Sequence, residues 1–313
     1  MQLIRGVQNL PTDWYGCALS IGNFDGVHLG HQAILDRLCD KAAEFSVPSV
    51  VLLFEPQPSE FFAKKNPNYL APARLMRLRD KLNALQYAGV DYVLCVPFNE
   101  TFATKSAVDF IQDLLVKKLK VRYLSIGDDF RFGANRTGDF ELLRNAGLKY
   151  RFAVEDSKTH CVNNRRISSS LIREALKNDD LALAEQLLGK AYSIRGRVAH
   201  GNKLGRTIGF PTANILLNRL VTPIQGVYAV QVETPLGKFN GIANVGNRPT
   251  INGTQPLLEV HIFDFQGDLY GKAIAVNFLH KVRNETKFES FDALKLQIEK
   301  DVADVKHYFN FTP

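Results

Sequence analysis

Long apolar runs are absent from this 313-residue chain. None approaches the roughly 18–20 consecutive apolar residues that a membrane-spanning helix needs, which excludes a bundle of such helices. The opening stretch, MQLIRGVQNLPTDW, lacks the apolar core of a secretory leader, and the expected location is the cytoplasm. Cysteine is sparse, with residues at 17, 39, 95 and 161. None is close to another, so there is no CxxC zinc or redox motif, and buried free thiols are expected rather than disulfides. The net charge is +7, yet no run of five or six basic residues exists. The basic residues are dispersed, with short pairs such as Lys64-Lys65, Lys117-Lys118 and Arg165-Arg166. That balance suits small polyanions such as nucleotides better than nucleic acid.

What is present divides in two. The composition, 45% hydrophobic and 23% charged, is ordinary for a globular protein. The length exceeds the roughly 250–300 residues at which a single core stops growing, so two domains are expected. Up to residue 187, strand-like runs (CALSIG, VPSVVLLF, DYVLCVPF, VRYLSIG) alternate with helix-like ones (HQAILDRLCDKAAEF over 31–45, ARLMRLRDKLNALQYAG over 73–89, AVDFIQDLLVKKL over 107–119). SSSLIREALKN and LALAEQLLGK read as two further helices. This order predicts an α/β domain over 1–187 with a parallel sheet, binding ligand at the carboxyl ends of its strands. From 188 to 313 the grammar changes. GVYAVQVET, KFNGIANVG, LLEVHIFDF and AIAVNFLHKV alternate with period two between turn signals. They predict a small antiparallel β-barrel, closed by an amphipathic helix over 291–309.

GNFDGVHLGH (22–31) follows the first buried strand. Gly22 and Gly26 allow a tight turn, and the residues after Gly26 open a helix whose free N–H groups attract anions. His28 and His31, three apart, share a face. A phosphate chain suits this arrangement better than zinc, because the glutamate of HExxH is missing and no third ligand stands nearby. One histidine could instead cap or pack locally, and Asp25 could serve only to shape the turn. RRISSSLIREAL (165–176) places Ser168, Ser169 and Ser170 among Arg165, Arg166 and Arg173, a second candidate phosphate cradle, although one serine would serve equally as a helix cap.

GNFDGVHLGH and ISSSLIREAL together resemble the nucleotidyltransferase module of prokaryotic FAD synthetases, with HxGH as His28-Leu29-Gly30-His31. GDDFRFGANRTGD (127–139) is similar to that family's flavin-side motif. The resemblance implies a Rossmann-like domain that transfers AMP from ATP to FMN, releasing pyrophosphate. It implies that His28 and His31 serve the ATP phosphates and that Ser168, Ser169 and Arg173 hold the triphosphate. It further implies that Gly22, Asn23, Phe24, Asp25 and Gly26 line the nucleotide pocket, and that Asp128, Phe130 and Asn135 lie on the flavin side.

GNKLGRTIGFPTAN (201–214) is the other dense stretch. Gly201, Gly205 and Gly209 let the backbone wrap a ligand, Lys203 and Arg206 add charge, and Thr212 and Asn214 offer two uncharged oxygens one residue apart. Such oxygens suit Mg²⁺ bound with phosphates; a glycine-rich surface loop is the plainer alternative. It is no Walker A loop, because GxxxxGK[ST] is absent. GRTIGFPTANI resembles the PTAN motif of riboflavin kinases, and NVGNRPT, LEVHIFDF, DLYG and VRNETKF follow in that family's order. The two modules span nearly the whole chain, which therefore resembles a bifunctional riboflavin kinase/FAD synthetase. The resemblance makes Glu259 the base for the riboflavin 5′-hydroxyl, Thr212 and Asn214 the residues for Mg²⁺ and phosphate, Gly201, Lys203 and Gly209 a nucleotide loop, and Arg283 and Glu285 the flavin side. Spacing alone does not separate Glu259 from Glu285 as the base. The expected partners are riboflavin, FMN and ATP, with no nucleic acid and no membrane. A nucleic-acid module would need stacking aromatics among basic residues on the barrel strands, whereas Phe263, Phe265 and Phe278 follow a core-like pattern.

Overall fold

Apolar, β-branched runs separated by helices can hide both faces only in a parallel sheet with helices on each side, and the first half of the chain does this. The computed structural model describes every residue except 67, 128, 158–160, 163–164, 201–208, 218–220, 251–252 and 312–313, with backbone alone at 162, 247–250, 253–255 and 311. The described chain forms two compact units, Met1–Pro72 with Arg77–Ser168, and Ala73–Met76 with Ser169–Pro313.

The first unit runs β1 (Gln2–Arg5), β2 (Cys17–Ile21), α1 (Leu29–Glu44), β3 (Ser49–Phe54), α2 (Pro58–Lys65), α3 (Leu78–Tyr87), β4 (Tyr92–Val96), α4 (Glu100–Ala103), α5 (Ala107–Asp109), β5 (Val121–Ile126), α6 (Phe140–Tyr150) and β6 (Ala153–Asp156), then the two-residue strands β7 (Cys161–Val162) and β8 (Arg165–Arg166). Six parallel strands take the order β1-β4-β3-β2-β5-β6. β2 is buried along its whole length, and Leu19, Leu52, Leu94 and Leu124 share one core. Two edge strands, β1 and β6, escape the sequence pattern because each is four residues long and mostly not buried.

Three expectations shift. The helix expected over 73–89 begins only at Leu78: the carbonyls of Ala73 and Leu75 accept from Arg173 Nε (2.6 Å) and Tyr192 Oη (3.5 Å) instead of from helix amides. The helix expected over 107–119 widens into a π-helix over Phe110–Lys118, closed by a bond from the Leu119 amide to the Leu114 carbonyl, five residues back. The four cysteines are free, but only Cys17 and Cys95 are buried; Cys161 is exposed on the short β7.

In the second unit, α7 (Ser169–Lys177) and α8 (Leu181–Leu188) precede β9 (Ser193–Ala199), β10 (Ala213–Leu216), β11 (Gly226–Thr234), β12 (Gly237–Thr250), β13 (Gly253–Ile262), β14 (Ala273–Arg283) and α9 (Phe291–Phe311). The strands close an antiparallel barrel in the order β10-β13-β12-β11-β14-β9. Helix α9 covers one outer face, where Val302 and Val305 pack with Val227, Ala229, Ile242 and Phe263. The turn between α7 and α8 is tied to the barrel: Asp179 Oδ1 accepts from Tyr228 Oη (3.1 Å) and from Lys281 Nζ (2.8 Å). Burial, then the Asp179 carboxylate, pushes the Tyr228 phenol up.

Arg283 ends β14 against α9. Its Nε lies 2.9 Å and 3.0 Å from the two oxygens of the buried Asp301, which also accepts from Gln297 Nε2. Removing one partner of a largely desolvated pair costs about 3 kcal/mol. Asp301→Ala is therefore expected to lower unfolding free energy by roughly that amount in urea titrations, with Asp301→Glu closer to the parent.

Candidate functional site

In an open parallel sheet, ligands bind where successive connections leave the strand ends in opposite directions. Here the chain adds β3 and β4 on one side of β2, and β5 and β6 on the other. Gly22–His28 leaves β2 and residues 127–135 leave β5, so both motifs open onto that switch point. Ser20 Oγ, donating to the Ser125 carbonyl (3.0 Å), stitches the two strands together.

The turn is tight: Phe24 (φ 44°), Gly26 (φ 92°) and Val27 (φ 40°) all adopt left-handed backbone. For Phe24 and Val27 this is costly, and the burial of both side chains holds it in place. Asp25 is also buried. His28 caps α1, its Nδ1 accepting from the His31 amide at 3.2 Å. The local capping role is thus real. The two imidazoles stack with centroids 3.6 Å apart, and Phe24 leans on His31 at 4.9 Å. His31 Nδ1 is enclosed without a hydrogen-bond partner. Burial, then the charges of His28 and Lys81, hold the His31 imidazole well below the usual histidine range, so it is neutral at pH 7. A Cβ on Gly30 would stand 3.3 Å from the His28 ring and 3.5 Å from Ile167. The glycine of HxGH therefore lets both approach the helix start, and brings the residue before Ser168 beside the histidines.

Ser169 and Arg173 lie on α7, where Arg173 holds the Ala73 carbonyl. Phe130 stacks on Phe132 at 5.7 Å, and Asn135 sits in left-handed backbone (φ 54°); Asp128 lies outside the described residues. From Phe132 an aromatic chain continues through Phe110 and Phe102 to Phe54 and Phe98 at the carboxyl ends of β3 and β4, then to Phe61 and Phe62 on α2. Scattered over 80 residues of sequence, it had no local pattern to reveal it. Lys81 was hidden in the same way: it is almost wholly buried and its Nζ donates to the Asn23 carbonyl. Its signal was a lysine on the apolar face of α3, three residues after Leu78 and four before Leu85. Among the described residues no group of three His, Cys, Asp or Glu could hold a metal.

In the second unit Gly201 and Lys203 lie outside the described residues. Gly209 (φ 86°) opens the PTAN segment, and the Pro211 carbonyl meets His261 Nδ1 at 2.9 Å. Asn214 Nδ2 reaches the Thr212 carbonyl at 3.5 Å. The barrel register then aligns residues far apart in sequence. Asn214 stands opposite Glu259, Glu259 opposite Asn244, Asn244 opposite Val227, and Val227 opposite Arg283. Directly opposed residues share a face with Cβ atoms about 5 Å apart, so Asn214, Glu259 and Asn244 form one polar row. Asn244 received no role from the sequence, although it opens the NVGN stretch; its Oδ1 is enclosed without a partner. Glu285 is placed otherwise: it accepts from Gln225 Nε2 (3.1 Å) and lies across Gly246, where any Cβ would overlap it. Arg283 shares the row but spends its guanidinium on Asp301.

Residues 10–171 match the family model described as FAD synthetase, and residues 188–309 the one described as riboflavin kinase. A bifunctional riboflavin kinase/FMN adenylyltransferase from Haemophilus influenzae is 59% identical over 99% of this chain and 100% of its own length. The chain belongs to this bifunctional family. The counterpart of the same description from Escherichia coli K12 is 52% identical over 100% of this chain and 99% of its own. A solved structure from Streptococcus pneumoniae, described as a macrolide-efflux protein, is 31% identical with a TM-score of 0.78, covering 96% of this chain and 97% of its own. Among the described residues of the present chain, no helix is long and apolar enough to cross a membrane.

The neutral His31 has a measurable consequence for this family member. Its folded-state pKa is depressed, so the unfolded chain takes up a proton that the native site refuses, and stability falls as pH drops through the ordinary histidine range. Between pH 7.5 and 5 the parent is expected to lose stability faster than His31→Asn, by at most about 1.4 kcal/mol per pH unit, in denaturant titrations at each pH.

Proposed function

We propose that the two constellations run consecutive steps of flavin cofactor synthesis, the division at residues 187/188 separating an adenylyltransferase over 1–187 from a kinase over 188–313. The reading is supported above all by two sets of polar side chains in different units, one at a sheet switch point and one in a barrel row.

In the barrel, riboflavin's 5′-hydroxyl oxygen attacks the γ-phosphorus of ATP, and ADP leaves. Glu259 accepts the hydroxyl proton as the new P–O bond forms. It is preferred to Glu285 because it stands opposite Asn214 of the PTAN segment. The row offers only hard oxygen donors, a set that fits Mg²⁺. Thr212 and Asn214 would hold the ion, which when bound neutralises phosphate charge. Gly201, Lys203 and Gly209 embrace the nucleotide. Arg283 acts on the flavin side by fixing the loop that carries Glu285.

In the segment 1–187, an FMN phosphate oxygen attacks the α-phosphorus of a second ATP. The bond to the leaving pyrophosphate breaks, and no protein nucleophile is required because the substrate brings its own. The chain's task is positioning and charge neutralisation. His28 Nε2 binds a phosphate oxygen, and the start of α1 adds its amides and dipole. His31 lies against it, with Gly22, Asn23, Phe24, Asp25 and Gly26 around the nucleotide. Ser168, Ser169 and Arg173 hold the triphosphate, while Asp128, Phe130 and Asn135 face the flavin. A cytoplasmic setting, where ATP and reduced thiols are abundant, belongs to the same proposal.

Incubation with riboflavin, ATP and Mg²⁺, followed by chromatography over time, is expected to yield FMN and then FAD; absence of both products would sink the reading. Replacing both His28 and His31 by Ala is expected to lower FAD formation about a hundredfold or more while FMN still accumulates. Conversely, Glu259→Gln is expected to slow FMN formation about 10²–10⁴-fold, with FAD still forming from supplied FMN. Loss of the opposite activity in either variant would overturn the division of labour.

A further inference from the structure

Asn244 carries an oxygen that the fold leaves unsatisfied. Its Oδ1 is enclosed without a hydrogen-bond partner, and an acceptor that has lost its water without replacement is destabilising. Strand alternation places the side chain. Ala243 and Val245 on either side are buried, opposite the buried Val260 and Leu258, so they fill the barrel and Asn244 faces outward. On that outer face, Ile242 lies two residues earlier and Val227 directly opposite, and both pack with Val302 and Val305 of α9. An apolar side chain at 244 would extend this patch without orphaning an oxygen, so packing does not explain the amide. Across the other neighbouring strand stands Glu259.

The order along the row is informative. Asn214, Glu259 and Asn244 occupy the adjacent strands β10, β13 and β12, with Glu259 in the middle and about 5 Å between successive Cβ atoms. In an in-line transfer the attacking oxygen and the leaving oxygen lie on opposite sides of phosphorus. With phosphate on the Asn214 side, a hydroxyl that attacks beside Glu259 trails its carbon chain toward Asn244. We infer that Asn244 is a specificity-determining residue of riboflavin phosphorylation, its Oδ1 accepting a hydrogen bond from the ribityl 4′-hydroxyl, the neighbour of the reacting 5′-hydroxyl. This rests on the reading that Glu259 and the PTAN segment form the kinase site. A carbonyl oxygen only accepts, so it rewards a hydroxyl and gains nothing from a bare methylene. It has also shed its water before the substrate arrives, so binding adds no further desolvation of that oxygen.

The full-length protein is assayed for phosphorylation of riboflavin, 4′-deoxyriboflavin and 3′-deoxyriboflavin, all of which keep the 5′-hydroxyl. Asn244→Leu removes the acceptor at similar size, and Asn244→Asp keeps an accepting oxygen in its place. FAD formation from supplied FMN and thermal stability are followed alongside. The parent is expected to favour riboflavin over 4′-deoxyriboflavin about tenfold or more in kcat/KM. Asn244→Leu is expected to bring that ratio to within about twofold of unity, by slowing on riboflavin and not on 4′-deoxyriboflavin, while its preference over 3′-deoxyriboflavin stays parental. Asn244→Asp is expected to retain the preference for the 4′-hydroxyl, and both variants to form FAD from FMN at the parental rate. A parental ratio for 4′-deoxyriboflavin in Asn244→Leu overturns the inference. So does equal slowing on all three flavins with a lowered Tm, which marks a packing role. Glu259→Gln keeps the two claims distinguishable. If it phosphorylates riboflavin at the parental rate, the site assignment fails; if it is impaired while Asn244→Leu discriminates as the parent does, only the Asn244 inference fails.

Discussion

The hydrogen bond from the His31 amide to His28 Nδ1 organises the start of α1 and the turn before it. It satisfies an amide that the start of α1 would otherwise leave open. It commits one nitrogen of His28. It also draws the two rings into a stack 3.6 Å apart. The remaining features follow from accommodating that stack: glycine at position 30 for want of room beside the His28 ring, and a left-handed Phe24 whose ring closes over His31. The cap and the proposed anion site are therefore compatible readings of the same histidine.

A buried ion pair joins the last barrel strand to the C-terminal helix. Arg283 and Asp301 are matched by two short contacts, with Gln297 completing the carboxylate. That pair explains itself by joining β14 to α9.

How much was legible depended on range. The parallel sheet, the barrel and the C-terminal helix could be read because buried strands and amphipathic faces leave periodic marks in nearby residues. HxGH and PTAN were visible as short motifs for the same reason. The start of α3 was misplaced because the carbonyls of Ala73 and Leu75 are taken by Arg173 and Tyr192, about a hundred residues away. Asn244 was passed over because its meaning comes from register: nothing in NVGN says that it will stand beside Glu259. Lys81 looked like one more cation on a helix rich in Arg and Lys, and only burial distinguishes it from Arg79, which is exposed.

Register also explains how the barrel distinguishes its two candidate carboxylates. Strand side chains alternate faces, so moving β13 by one residue against β10 would put Val260 or Leu258 opposite Asn214 and turn Glu259 into the barrel interior. The apolar neighbours Leu258 and Val260 are fully buried, and they resist such a slip through the hydrophobic cost of exposing them. The position of Glu259 is thus enforced by the residues on either side of it. Glu285, beyond the end of β14, has no such enforcement and is held by a single hydrogen bond from Gln225 across a glycine. A group that must meet a hydroxyl within hydrogen-bond reach benefits from the first kind of restraint, and a group that must yield to an arriving flavin benefits from the second.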